Sequence, residues 1–174
     1  SIRGDAFNEL KVWTGEGDIE KHTGEICIRG PQVMKGYWNN PEETAKVMRD
    51  GWLKTGDIGH LDAEGYVTLT DRKKDVILVS GFNVYTNEIE SVLAMHTGVI
   101  ECAAVGVPDD KSGEAVKVVI VRKDPGLSKE AVIEHCKIHL TGYKLPRHIA
   151  FADTLPKSPI GKILRRELRD AGRD

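Results

Sequence analysis

Lys162 stands directly behind a glycine in the segment LPKSPIGKILRREL, which runs from Leu155 to Leu168. Pro156, Pro159 and Gly161 restrict the backbone around it. A loop so constrained would aim one ammonium at an anionic group and stabilise charge as it develops there. A plain structural explanation stands beside this one: Gly161 ends a loop, Lys162 is a solvated charge, and Ile163, Leu164 and Leu168 bury a short helix. Asp57, in KTGDIG, follows a glycine and could accept hydrogen bonds from vicinal hydroxyls such as those of a ribose. It could equally cap a turn. Arg72, in the charged run DRKKD, carries a planar fork suited to ribose or phosphate oxygens. Gly81, in VSGFN, would let a ligand approach the backbone closely, or simply close a hairpin.

Other chemistries are excluded by spacing. A phosphate-binding GxxxxGK loop needs glycine at position 156, which is proline. No GxSxG is present, so serine nucleophile chemistry has no support. Cys27, Cys102 and Cys136 are far apart among apolar neighbours and read as buried, reduced thiols. Neither they nor the histidines are read as a metal-ligand set, and no metal is expected in this chain.

The elements that must position these residues follow from patterning. The chain has 174 residues, 40% hydrophobic and 30% charged, enough to bury a core. Its net charge of −2 argues against general affinity for nucleic acid, and no apolar run approaches the roughly 20 residues that span a bilayer. The first part reads as short strands and turns: GEICIRG alternates like a half-buried strand, NNPEETAKVM begins a short helix with Pro41 in its first turn, and DAEGYVTLT is a turn and a strand with Val67 and Leu69 on one face. DRKKD reads as an exposed turn. After it come strand, turn and strand (VILVSGFNV), a helix with Asn87 as N-cap and Glu90 three positions on, two strands (VIECAAVGV and AVKVVIVRK), a helix capped by Ser128 with Val132, Cys136 and Leu140 as its stripe, and a last short strand, IAFADTL. The fold class is α+β, a β-rich segment followed by a small sheet with flanking helices.

Three strings, GEICIRGPQVMKGYWNNPEETAKVMRDGWLKTGDIG, DRKKDVILVSGFNVYTNEIE and LPKSPIGKILRREL, occur in the order and at the separations of the adenylate-forming superfamily of acyl-CoA synthetases, luciferases and peptide-synthetase adenylation domains, which the chain resembles from about Gly24 to Asp170. Within it, RGPQVM, SGEAVK and LTGYKLP look most like bacterial long-chain fatty-acid–CoA ligases. The resemblance implies the carboxyl-terminal part of a longer ligase: residues 1–70 the β-rich end of a large domain, 71–75 a hinge, and 76–174 a mobile small domain. It implies ATP-dependent adenylation of a fatty acid, using magnesium, and then thioester formation with coenzyme A. Asp57 and Arg72 would bind the ribose of ATP or AMP. Lys74 would lie at that nucleotide and serve as the hinge. Ser80 and Gly81 would line the coenzyme A tunnel, and Lys162 would be catalytic. Arg165, Arg166 and Arg169 are expected to be solvated or structural.

The phosphate loop of the TSGTTGxPKG type and the YGxTE segment do not occur in this chain, so the phosphate, magnesium and acyl sites fall outside it, and SIRGDAFNEL departs from the family's Gly/Pro-rich start. The chain alone is therefore not expected to complete the reaction. The expected partners are fatty acid, ATP, coenzyme A and the missing large domain, in a cytoplasmic enzyme with peripheral contact at the inner membrane and none with nucleic acid. Two alternatives stay open: a medium-chain or aryl acid ligase or other adenylating enzyme, and a stand-alone module that binds without catalysis.

Overall fold

The computed structural model describes residues 2–3, 9–13 and 23–170, so most of the opening SIRGDAFNEL lies outside the described residues. The chain divides into two units, Ser1–Lys74 and Asp75–Asp174.

Unit 1 is an antiparallel sheet in the order β1 (Ile2–Arg3), β6 (Tyr66–Arg72), β5 (Trp52–Leu61), β3 (Gly24–Arg29), β2 (Glu9–Trp13), with β4 (Met48–Arg49) also paired to β5. The short helix α1 (Pro41–Val47) has Asn40 as N-cap, its side chain accepting from the Glu43 N–H, and Pro41 in the first turn, where a missing N–H costs nothing. Strand β3 does not alternate: Glu25, Ile26 and Cys27 are all buried, and Ile28 is only partly so. In β6, Val67 is buried as the alternation requires. Leu69 departs from it and is 57% exposed, beside the point where the β5–β6 register shifts between Ile58 and Gly59.

Unit 2 is built on the long antiparallel hairpin of β9 (Val99–Asp109) and β10 (Gly113–Arg122). Along its other edge β10 takes β11 (His148–Ala152) in parallel and, at Gly113, the antiparallel β7 (Ile77–Val79), which continues into β8 (Phe82–Val84). The sheet is covered on both faces, which explains why β10 reads as an almost unbroken apolar run rather than an alternating one. Val116, Val118 and Ile120 face α2 (Thr86–Ala94) and α3 (Lys129–His139), with Ile89, Leu93, Val132 and Cys136. Val119 and Val121 face the opposite way, toward Leu155, Ile163 and Leu168 of the carboxyl-terminal segment that ends in α4 (Arg165–Asp170). The third inward position on that side is a lysine: Lys117 is buried, and its Nζ donates to the Leu168 carbonyl at 2.9 Å.

Helix α3 matches its sequence pattern in full. The Ser128 hydroxyl accepts from the Ala131 N–H, and Val132, Cys136 and Leu140 are all buried. Helix α2 differs at its start. Asn87 is not the N-cap; the helix begins at Thr86 behind Tyr85, which makes no side-chain cap bond. Burial of both Tyr85 and Thr86 fixes the chain's entry here, overriding the local capping preference. The cysteines lie among apolar neighbours, and burial pushes the Cys102 thiol up to about 12 and the Cys136 thiol up to about 11. His135 and His139 stand four apart on α3, a spacing metal-binding helices use. The His135 ring instead packs edge-on with those of His139 and His96, and among the described residues no group of three or more His, Cys, Asp or Glu side chains could hold a metal ion.

Ile120 is fully buried between the sheet and α2–α3, whereas Ile160 is 88% exposed. Ile120→Ala should cost about 2–5 kcal/mol of stability in urea unfolding, and Ile160→Ala less than about 0.5 kcal/mol. Equal effects would mean that the core of unit 2 lies elsewhere.

Candidate functional site

Asp57 and Arg72 are brought together. They oppose each other across β5 and β6, and Arg72 Nε donates to Asp57 Oδ1 at 2.8 Å. The local geometry comes from a bulge. Between Glu25 and Cys27 of β3 the register with β5 shifts, so that three residues, Thr55, Gly56 and Asp57, stand where β3 has only Ile26. Gly56 holds φ +73, its N–H donates to Glu25 Oε1 at 3.2 Å, and Thr55 Oγ1 accepts from the Asp57 N–H at 3.1 Å. The Asp57 side chain is thus held in one orientation, and a carboxylate so placed has lone pairs left over to accept hydroxyls.

Lys74 occupies the middle of a single 3-10 turn, Lys73–Asp75. The expectation of an exposed DRKKD turn fails at both ends, because Asp71 and Asp75 are buried. The turn's two ends are tied differently. Lys73 Nζ reaches Glu25 of unit 1 at 3.2 Å, while Asp75 Oδ1 accepts from Arg169 of unit 2 at 3.1 Å. Asp75 falls in unit 2, with its partner Arg169. Exposed Lys74 is the residue between two oppositely tied neighbours.

Ser80 and Gly81 form the two-residue turn of the β7–β8 hairpin, with φ of +51 and +86. Both values lie in the left-handed region that such tight hairpins require, which accounts for glycine at the second position. Nothing lies within 4 Å of where a Gly81 Cβ would stand, so the backbone there is open. Phe82 and Tyr143 stack beside the turn with ring centroids 4.9 Å apart. The turn is braced by the β9–β10 connection. The Ser80 N–H donates to the Ser112 carbonyl at 2.8 Å, and the Leu78 N–H to Glu114 Oε2 at 2.7 Å. Ser112 is in turn held by Asp109, whose carboxyl lies well below the usual range. The Ser112 hydroxyl is the main cause, followed by the Ser112 N–H, with smaller help from the Lys111 N–H and Arg147.

Lys162 lies on a second small hairpin. Lys157 and Ile163 face each other as an antiparallel bridge, the Gly161 N–H donates to the Ser158 carbonyl, and the Ser158 N–H donates to the Lys162 carbonyl, both at 2.8 Å. Serine, then proline, with glycine at φ +78 in the fourth place is the composition a type I turn selects. Among the described residues the Lys162 ammonium makes no ion pair, whereas Lys157, five residues earlier, is held by Glu101 at 2.6 Å.

The two loops of unit 2 are not brought together. One is braced near Glu101 and the other near Asp109, eight residues along β9, or roughly 26 Å at the rise of an extended strand. Three pairs that steady these loops were not singled out from the sequence: Glu90 with Arg165, Asp109 with Ser112, and Lys157 with Glu101. Their partners are local only in the second case, where an Asp followed by Ser in a turn was the available signal.

Residues 88–162 match the AMP-binding enzyme C-terminal domain family. A long-chain-fatty-acid–CoA ligase from Salmonella typhimurium is 59% identical over 150 residues, 86% of this chain and 27% of that protein. The protein of the same name from Haemophilus influenzae is 49% identical over 164 residues, 93% of this chain and 29% of that one. The ATP-bound crystal structure of MatB from Rhodopseudomonas palustris superimposes with a TM-score of 0.87 at 37% identity, over 97% of this chain and 34% of that one. The chain thus spans between a quarter and a third of the length of these two curated ligases.

A carboxyl held lower in the folded than in the unfolded state stabilises the fold above its unfolded value, about 3.9, and that stability is lost as pH falls through the folded value. Asp109→Asn should therefore lower the melting temperature at pH 7, and the gap to the unsubstituted chain should close as the pH is taken down through the acid range. A gap independent of pH would show that the Asp109 charge is not what holds the turn.

Proposed function

Because this chain belongs, through residues 88–162, to the family of AMP-binding enzymes as their C-terminal domain, we propose that it is the carboxyl-terminal part of a long-chain fatty-acid–CoA ligase. ATP and a fatty acid give an acyl-adenylate and pyrophosphate; the coenzyme A thiol then attacks the acyl carbon and AMP leaves. A medium-chain or aryl acid ligase would use the same unit, and the name carried by the 59% identical relative favours long chains. The parent would meet its acid in the cytoplasm at the face of the inner membrane; among the described residues no helix is long and apolar enough to cross one.

In this reading the Asp57 carboxylate, steadied by Arg72, accepts hydrogen bonds from the two ribose hydroxyls. The Lys162 ammonium bridges the carboxylate and α-phosphoryl oxygens as negative charge builds between them. Lys74 is the pivot about which unit 2 then turns, withdrawing Lys162 and bringing the Ser80–Gly81 turn to the same point, where the open backbone leaves room for the pantetheine chain. Magnesium would neutralise phosphate charge, held by residues of the remainder of the parent.

The observation that carries the proposal is Lys162, without an ion pair among the described residues, on its braced hairpin far along β9 from the Ser80–Gly81 turn. In the full-length parent, Lys162→Ala should cut pyrophosphate release from ATP and palmitate by about 10²–10³. Thioester formation from preformed palmitoyl-adenylate and coenzyme A should be largely kept. Equal pyrophosphate release with and without the substitution would mean that the loop is scaffolding.

A further inference from the structure

We infer that Glu90 and Arg165 form a positioning pair that sets the Lys162 loop for the adenylation step, an inference that rests on the role proposed for Lys162. Glu90 lies on α2 and Arg165 opens α4; their side chains are 18% and 19% exposed. One guanidinium nitrogen, Nη2, donates to both carboxylate oxygens, at 2.7 and 2.8 Å. Glu90 Oε1 also accepts from the Ala104 N–H of β9 at 2.8 Å. A single carboxylate therefore ties α2, β9 and the start of α4 to one point.

That point lies just behind Lys162. Of the two residues between, Ile163 packs into the core beneath β9 and β10, and the Leu164 N–H is fixed to the Pro156 carbonyl at 2.9 Å. A shift at Arg165 is thus passed to Lys162 through a segment with little freedom to absorb it. The other tether of this loop, Lys157 to Glu101, is more exposed, at 41% and 30%, and exposed pairs hold geometry weakly. Arg165 Nε is buried with no hydrogen-bond partner. An arginine selected for stability alone would be expected to satisfy that N–H by meeting the carboxylate side-on. The end-on contact instead fixes where the α4 start sits, and with it the loop. A misplacement of about 1 Å in a reacting group can cost roughly 10² in rate.

The test uses the full-length parent. Glu90→Gln keeps an acceptor for the Ala104 N–H, removes the charge and leaves one oxygen instead of two to meet Arg165. Pyrophosphate release should fall by about 10- to 100-fold at unchanged KM for the acid. Thioester formation from preformed acyl-adenylate should change by less than about threefold, since Lys162 is withdrawn in that step. Should the single variant fail to fold, Glu90→Gln with Arg165→Gln leaves no buried charge unpaired, and the same split is expected. In a Lys162→Ala background, Glu90→Gln should slow adenylation no further, because the loop then has nothing to position. Equal losses in both half-reactions, or losses that multiply with that of Lys162→Ala, overturn the pair's role while leaving that of Lys162 intact. A Lys162→Ala parent with undiminished pyrophosphate release overturns the reading of Lys162 itself, and this inference with it.

Discussion

The stiffness of the β9–β10 hairpin is the constraint on which the rest of unit 2 depends. Its residues alternate between two cores, one under α2 and α3 and one under the carboxyl-terminal segment, so the sheet cannot bend without opening one of them. Each of the two loops proposed to work in turn is braced to a different end of this hairpin, through Glu101 and through Ser112. No rigid placement of the unit offers both loops to one point. If both serve one active centre, the unit must turn as a body.

Such a turn needs a place where the chain is pliant between two firm ends. The pivot proposed at Lys74 stands between two tied neighbours, Lys73 held by Glu25 and Asp75 held by Arg169. The charged residues near the carboxyl terminus thereby divide in purpose. Arg169 holds Asp75, beside the proposed pivot, Arg165 holds Glu90, behind the Lys162 loop, and Arg166 is exposed. By contrast, pairs such as Lys137 with Glu134 lie on the surface and contribute little to either.

Much of the fold was legible because its causes are local. The Ser128 cap, the Val132, Cys136, Leu140 stripe and the apolar run of β10 are written in neighbouring residues. What the sequence hid were decisions made at a distance. Asn87 loses the cap position because Tyr85 and Thr86 are buried by tertiary packing. The acids of DRKKD read as solvated charge, yet Asp75 finds its partner 94 residues later. Glu90 has the spacing of half a capping box, but its partner is an arginine 75 residues on. Asp57, Arg72, Gly81 and Lys162 could be singled out as candidates from their motifs, and Ser80 from the family resemblance, but what holds each of them could not be read from the sequence.

The central claim is that one unit serves two steps by pivoting at Lys74. Proline fixes φ near −65°, so Lys74→Pro removes dihedral freedom at the proposed pivot. Both half-reactions of the full-length parent would be timed separately with this substitution. The account predicts that one survives near its normal rate while the other falls by roughly two orders of magnitude. Both steps continuing unchanged would contradict it, because the two loops would then reach their substrates without a turn of the unit.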